Sequence, residues 1–373
     1  MRQEHKRKMR KQMGRRYLAI LCIIAIFCTS IPITTTQTQA RAYTDWEVFE
    51  TNTGEPVAAA YGNGVFALLN NAGVFYISDD AMTWTQTGLL PGTNGETNDT
   101  YKMLQMKFIN NAFYLYGIKG IFLRSVDGKV WERIDFGNRL VTAMTYGDNA
   151  WYLASDGENF SQCQYQDMDS FALWRSQDGK SFTQIETEAD IKACNSLCCA
   201  QNKLIVTDPV ANTINTLQLD GKLVSSIDAH KEYYESCYAE SRYKNDMFLC
   251  YFEACFWYSI DAITWNRCNT NFYCSLESGY GEWVEIRDEY YMLNNQGGYL
   301  YEITPLYNED PAFAYILSGV DYRYKIKNLV ACEDTLWGFG SGIAVKRQMN
   351  FDVKTSKWDE EEKTPAVSGG SVR

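Results

Sequence analysis

The sequence predicts an all-β protein, a β-propeller of seven four-stranded blades closed by an N-terminal strand. Three observations carry this reading. A short motif returns four times at one internal spacing: Ser78-x-Asp80-x-x-x-Trp84, Ser125-x-Asp127-Gly128-x-x-Trp131, Ser176-x-Asp178-Gly179-x-x-Phe182 and Ser259-x-Asp261-x-x-x-Trp265. A worn fifth copy reads Gln218-x-Asp220-Gly221-x-x-Val224, and successive aspartates lie 47, 51, 42 and 41 residues apart. A period of about 40–50 residues is that of propeller blades. The second observation is a polar turn that recurs between two apolar runs, and the third is an orphan strand around Trp46.

The first unit shows the frame. Two apolar runs flank Gly62-Asn63-Gly64, a turn at Asn70–Gly73 leads into a third run, and the motif then sends a fourth strand out through Trp84. Short β-rich runs punctuated by Gly and Asn turns argue for strands and hairpins. The first turn recurs as Asn110-Asn111, Gly147-Asp148-Asn149, Gln201-Asn202, Lys244-Asn245-Asp246, Arg287-Asp288-Glu289 and Glu333-Asp334, which with Asn63 makes seven. Fourth strands are expected after Trp84, Trp131, Phe182, Val224 and Trp265, and near Thr304-Pro305. The seventh is missing before the tail, so residues 43–50 are expected to supply it, with residues 351–358 as the alternative.

The ends of the chain frame this domain. Residues 1–16 are strongly basic, Tyr17–Cys28 is apolar, and a Thr-rich stretch ends Thr38-Gln39-Ala40. That pattern reads as a secretory signal peptide over residues 1–40, of Gram-positive type, with an uncleaved N-terminal anchor as the alternative. The propeller is expected over 41–350 and a polar, acidic tail or linker over 351–373. Residues 1–40 hold eight of the 35 basic and one of the 46 acidic residues, so the remainder carries 27 against 45, a net charge of −18. Such a surface repels polyanions and excludes nucleic acid and anionic membranes as partners. The expected protein is secreted or at the cell surface and monomeric, with no stable membrane insertion after signal cleavage.

The Ser hydroxyl and Asp carboxylate of the motif are suited to bonding backbone N–H groups inside a tight turn. The aromatic residue is suited to packing between blades. The motif therefore reads as structural: Ser78, Asp80, Trp84, Ser125, Asp127, Trp131, Ser176, Asp178, Phe182, Ser259, Asp261 and Trp265. These repeats resemble the Asp-box, or BNR-repeat, β-propellers, a group that includes sialidases, sortilin-like receptors and many secreted bacterial proteins. The family form is Ser-x-Asp-x-Gly-x-x-Trp; here the Gly comes one residue earlier, or is Ala81 or Ala262. In a sialidase the resemblance would imply an arginine triad, a Tyr–Glu pair, an Asp acid and an Arg-Ile-Pro-like segment. No such segment is present, and no catalytic residue is assigned.

Function is expected on long loops of the rigid scaffold. Residues 88–101, 155–170 and 267–281 are long and share the face of the 2–3 and 4–1 connections. Candidate binding residues there are Glu158, Tyr165, Asp167, Tyr233, Tyr234, Glu235, Tyr280 and Tyr322, where Tyr rings can stack and carboxylates accept hydrogen bonds. His230 is the one histidine after residue 40 and reads as a solvated loop residue, which argues against a His-rich metal site. No cofactor or metal is expected. Ten cysteines follow residue 40; Cys250–Cys255 and Cys268–Cys274 are plausible bridges, with buried free thiols as the alternative. Cys198 and Cys199 are expected on an inner strand, facing opposite ways. The expected function is non-enzymatic binding of an extracellular protein or glycan, and the alternative is a divergent glycoside hydrolase or sialidase-like enzyme.

Overall fold

The computed structural model describes residues 46–349, apart from 93–94, 119, 138, 157–170, 230–238, 245, 253–254, 269–282, 287–288, 295–298, 304–313 and 318–325. The expected signal peptide and tail lie outside the described residues. Among those described, the chain forms seven four-stranded antiparallel sheets, with one 3-10 turn at Asp99–Met103. The sheets follow one another along the chain. Their first strands are Pro56–Gly62, Gln105–Ile109, Leu140–Gly147, Ser196–Ala200, Ala239–Lys244, Trp283–Ile286 and Asn328–Cys332.

Every first hairpin has a two-residue connection, at the positions the polar turns mark. Gly62 pairs Val65, Ile109 pairs Ala112, Gly147 pairs Ala150 and Ala200 pairs Lys203. Lys244 pairs Met247, Ile286 pairs Glu289 and Cys332 pairs Thr335. Two-residue hairpins that match strand twist need positive φ, which Asn and Asp tolerate better than most residues. Asn63, Asn110, Asn111, Asp148, Asn149, Gln201 and Asn202 all have φ between 45° and 62°.

The fourth strands are Thr85–Leu89, Glu132–Arg133, Thr183–Ile185, Leu223–Asp228, Asn266–Cys268 and Ala314–Leu317. The sixth differs from expectation: Thr304-Pro305 follows the third strand, Tyr299–Ile303, and the fourth begins ten residues later. Proline has no N–H to give a ladder, which disfavours it inside a sheet. In the seventh sheet the fourth strand is Glu47–Glu50, which pairs with Ile343–Lys346.

Core clusters sit between consecutive sheets. Strand alternation feeds two clusters at once. In the first sheet Ala58, Ala60, Ala67 and Leu69 pack toward the second, while Ala59, Phe66 and Leu68 pack toward Val330, Trp337 and Phe339 of the seventh. Cys198 and Cys199 divide as expected: Cys199 joins the cluster with the third sheet, and Cys198 faces Phe248 and Cys250 of the fifth. Cys250 is a buried free thiol whose cross-strand partner is Trp257, and Cys255 pairs with Phe252, so the expected Cys250–Cys255 bridge is absent. Cys194, Cys198, Cys199 and Cys332 are also free thiols, and burial pushes the Cys198 thiol up to about 12. The expected Cys268–Cys274 pairing lies outside the described residues at Cys274.

First strands of adjacent sheets approach closely. A Cβ added at Gly147 would fall 2.2 Å from the backbone carbonyl oxygen of Cys199 in the fourth sheet. A carbonyl in a ladder cannot step aside as a flexible side chain can. Gly147→Ala is therefore expected to destabilise the protein by about 1–3 kcal/mol through overpacking. Urea unfolding reads this out, and an unchanged midpoint contradicts the packing.

Candidate functional site

The four Ser-x-Asp turns share one hydrogen-bond design. Asp80 Oδ1 accepts from the Met82 and Thr83 amides at 2.8 and 2.7 Å, and Asp127 Oδ1 from Lys129 and Val130 at 2.8 and 3.0 Å. Asp178 Oδ1 takes Lys180 and Ser181, and Asp261 Oδ1 takes Ile263 and Thr264, all at 2.8 Å. Each serine hydroxyl donates to the same aspartate, at 2.8–3.1 Å. A carboxylate bonded this way is favoured in its charged form. Backbone amides hold Asp178 well below the usual carboxylate range, hold Asp261 at about 2, and lower Asp127; for Asp80 they overcome an opposing burial effect.

The residue after the aspartate is the point of the device. Ala81, Gly128, Gly179 and Ala262 have φ of 59°, 71°, 69° and 56°, a left-handed conformation. Each is pressed against the preceding sheet. Ala81 packs with Val330, Trp337 and Phe339 of the seventh, and Ala262 with Ile205 and Ile214 of the fourth. Thr216 of the fourth sheet donates to the Ala262 carbonyl at 2.5 Å. A Cβ at Gly179 would lie 2.2 Å from the Tyr114 hydroxyl of the second sheet, so only glycine fits there. At Gly128 the corresponding gap to Ala67 and Ile77 of the first sheet is 3.3 Å.

The aromatic residue covers the same seam. The Trp131 ring stacks on Phe75 of the first sheet at 4.7 Å, Trp84 meets Phe339 of the seventh edge-on at 5.5 Å, and Phe182 meets Phe122 of the second at 5.7 Å. Trp84 and Trp131 donate their indole N–H to the Ala81 and Gly128 carbonyls at 3.0 and 3.2 Å. At the fifth sheet the Ala262 carbonyl is already taken by Thr216 and Ser225, and among the described residues the Trp265 indole N–H has no partner.

The fifth copy of the motif is a different turn. Residues before and after each true turn pair directly, as in Arg124 with Glu132, but Leu217 pairs with Leu223 and the ladder shifts beside Val224. Gly221 N–H bonds Gln218 O at 3.0 Å and Gln218 N–H bonds Lys222 O at 2.8 Å, closing a three-residue loop with Gly221 at φ 95°. Gln218 has no hydroxyl to organise the amides, so the backbone closes the hairpin itself.

These turns share a side with the first hairpins, because Asn63 Nδ2 donates to Val126 O and Asn111 O of the second sheet at 2.9 and 3.3 Å. That side also holds a pocket of about 530 Å³ on the fourth sheet, between Gln201, Lys203, Gln218 and Val224. The eight sequence-chosen binding residues, Glu158, Tyr165, Asp167, Tyr233, Tyr234, Glu235, Tyr280 and Tyr322, lie outside the described residues, as does His230.

Two polar features escaped the sequence reading. Lys107 of the second sheet approaches Glu240 of the fifth at 3.9 Å, and Glu240 also pairs with Arg242 at 2.6 Å. The signal was available, since Glu240-x-Arg242 puts two charges on one face of a first strand. The other is Asp156, which ends the strand Ala150–Asp156 at the head of the 157–170 segment. It is 3% exposed, and among the described residues neither carboxyl oxygen has a hydrogen-bond partner.

No protein-family model matches the chain, and no curated protein matches it in sequence. Solved structures do match its fold. The YCF48 protein bound to a D1 peptide is 14% identical, covers 83% of this chain and 99% of its own, and superposes with a TM-score of 0.53. Catalytically inactive virginiamycin B lyase from Staphylococcus aureus, solved with quinupristin, is 10% identical over 82% of this chain and 100% of its own, with a TM-score of 0.59. A streptogramin B lyase gives 11%, 83%, 98% and 0.57. The chain has a β-propeller fold. At these identities the likeness concerns the fold alone.

The turn carboxylates predict a pH dependence with a definite sign. Their folded-state values lie below the unfolded aspartate value of about 3.9, so the stability they contribute is present above that pH and lost as pH falls toward 2. Asp178→Asn is expected to cost about 1 kcal/mol at pH 7, with the gap to the unaltered protein narrowing steadily in melts taken from pH 4 to pH 2.

Proposed function

We propose that this chain is a secreted, non-enzymatic β-propeller that binds an extracellular protein or glycan through its 2–3 and 4–1 connections. The observation that carries the reading is how the repeated motif is used. All four Ser-x-Asp turns spend their hydroxyl on the aspartate and their carboxylate on their own backbone amides, so the most repeated polar feature of the chain is scaffold. The loops are then where binding capacity remains. A propeller of similar fold carries a bound peptide, which favours a protein partner over a glycan.

In this reading the turns are Asp-boxes, with the glycine moved one place forward because the residue after the aspartate is the left-handed one. The seven sheets are the blades of one ring, and Glu47–Glu50 completes the seventh blade. Residues 1–40 direct export, 41–350 form a monomeric propeller and 351–373 a connector. The net charge of −18 after residue 40 suits a basic partner and disfavours nucleic acid.

Two sets of variants test the proposal. Glu158→Gln with Tyr165→Ala, and Tyr233→Ala with Tyr234→Ala, are expected to weaken capture on an array of peptides and glycans tenfold or more without moving the melting temperature. Asp127→Asn is expected to do the reverse. Capture insensitive to all loop variants would overturn the assignment of the face. Turnover of a fluorogenic glycoside by the purified protein would replace binding with hydrolysis.

A further inference from the structure

We infer that Asp156 is a pH-sensitive joint, a carboxyl group that fits between the third and fourth sheets only while it holds its proton. The residue ends the second strand of the third sheet, opposite Leu140. It is buried, and among the described residues both its oxygens lack a donor. A neutral carboxyl tolerates such a place, whereas a carboxylate without donors pays a large desolvation cost.

Three described groups face it from the packed elements. Arg139, just before the third sheet's first strand, attracts the ionised form. Its guanidinium is engaged elsewhere, donating to Ser155 Oγ at 2.9 Å and lying 5.5 Å over the Trp174 ring. Asp208, which ends the second strand of the fourth sheet, opposes a second negative charge. Cys194 comes from the segment leading into the fourth sheet and is a buried thiol that Asp156 and Asp208 both disfavour as a thiolate. Burial outweighs the arginine and lifts Asp156 to about 7.

Asp208 provides the contrast. Burial raises it as well, but it accepts backbone amides of Lys192, Val210 and Ala211 at 2.7, 2.9 and 3.0 Å, which oppose that rise. The two aspartates occupy equivalent strand ends on neighbouring sheets, and among the described residues only Asp208 is supplied with donors. Ionising Asp156 therefore adds an unsupported charge beside an amide-bonded one.

The sign follows from linkage. The folded-state value of Asp156 lies above the unfolded value of about 3.9, so its contribution is greatest below that pH and is lost as pH rises to about 7. The turn aspartates respond at lower pH and in the opposite direction, so the interval from pH 5 to 7.5 isolates Asp156 from them. Comparison with Asp156→Asn subtracts every other group that responds in that interval.

The test is hydrogen exchange on the full chain, corrected for intrinsic rates, at the amides of Ala150–Asp156 and Ser196–Ala200. The opening constant is expected to rise about tenfold or more from pH 5 to pH 7, since each unit of separation in pKa is worth a factor of ten. In Asp156→Asn the rise should be several-fold smaller, leaving only the contribution of groups such as Asp208. An equal pH dependence in both proteins would overturn the inference. The carboxyl carbon shift of Asp156 in the unaltered protein gives an independent reading: a protonated signal at pH 5 supports the joint, and an ionised one rules it out even if Asp156→Asn fails to fold.

Discussion

The bond on which the rest of this structure depends is the one from an aspartate carboxylate to the two amides beyond it. It holds the intervening residue left-handed, and that residue is the contact point with the preceding sheet. A left-handed alanine is disfavoured by sterics, so Ala81 and Ala262 would drift without the carboxylate. With it, their methyl groups become fully buried against the neighbouring sheet. The turn is local, and its effect is between sheets. That coupling explains why the motif pairs a polar turn with a large aromatic a few residues on: the carboxylate sets the geometry, and the ring fills the seam it creates.

Much of the fold was legible in the sequence because it rests on local chemistry. Asn, Asp and Gly at two-residue connections report a backbone requirement that only a few residue types meet. All seven first hairpins follow from it. Alternation was equally readable, and Cys198 and Cys199 part company as it demands. The failures share a cause. Gln218-x-Asp220-Gly221 keeps two letters of the motif but lacks the serine hydroxyl, and the backbone takes a shorter hairpin instead. Cys250 and Cys255 are close in sequence, yet the strand register sets them opposite Trp257 and Phe252. Spacing alone does not reveal register. The candidate binding residues were chosen on loops, where local rules constrain the chain least.

Two kinds of charge pair join the sheets. Lys244 pairs with Glu285 of the next sheet, and Lys327 with Glu55 from the segment leading into the first, so adjacent sheets meet through opposite charges. Partly exposed pairs of this kind contribute little stability. Their value lies in register, because a like-charged neighbour would be penalised. Lys107 and Glu240 belong to the second and fifth sheets, which are not consecutive. Such a contact fits the β-propeller fold, in which the strands of separate sheets approach one another.

The aspartates of this chain separate scaffold from responsive element. Asp178 is exposed, accepts two amides and a hydroxyl, and stays ionised to very low pH. Asp208 is buried with amide donors. Asp156 is buried with none among the described residues. The side chain is the same in all three, so the difference comes from what the backbone offers: the turns after Asp178 and Asp208 each aim two amides at the carboxylate, and no described amide reaches Asp156. A carboxyl left without donors destabilises the fold once ionised, and a leucine or asparagine would fill the space without that cost. Asp156 directly precedes the segment that carries Glu158, Tyr165 and Asp167. In the proposed reading that segment belongs to the binding face, so the carboxyl that ionisation would strand and the candidate binding residues are neighbours in sequence.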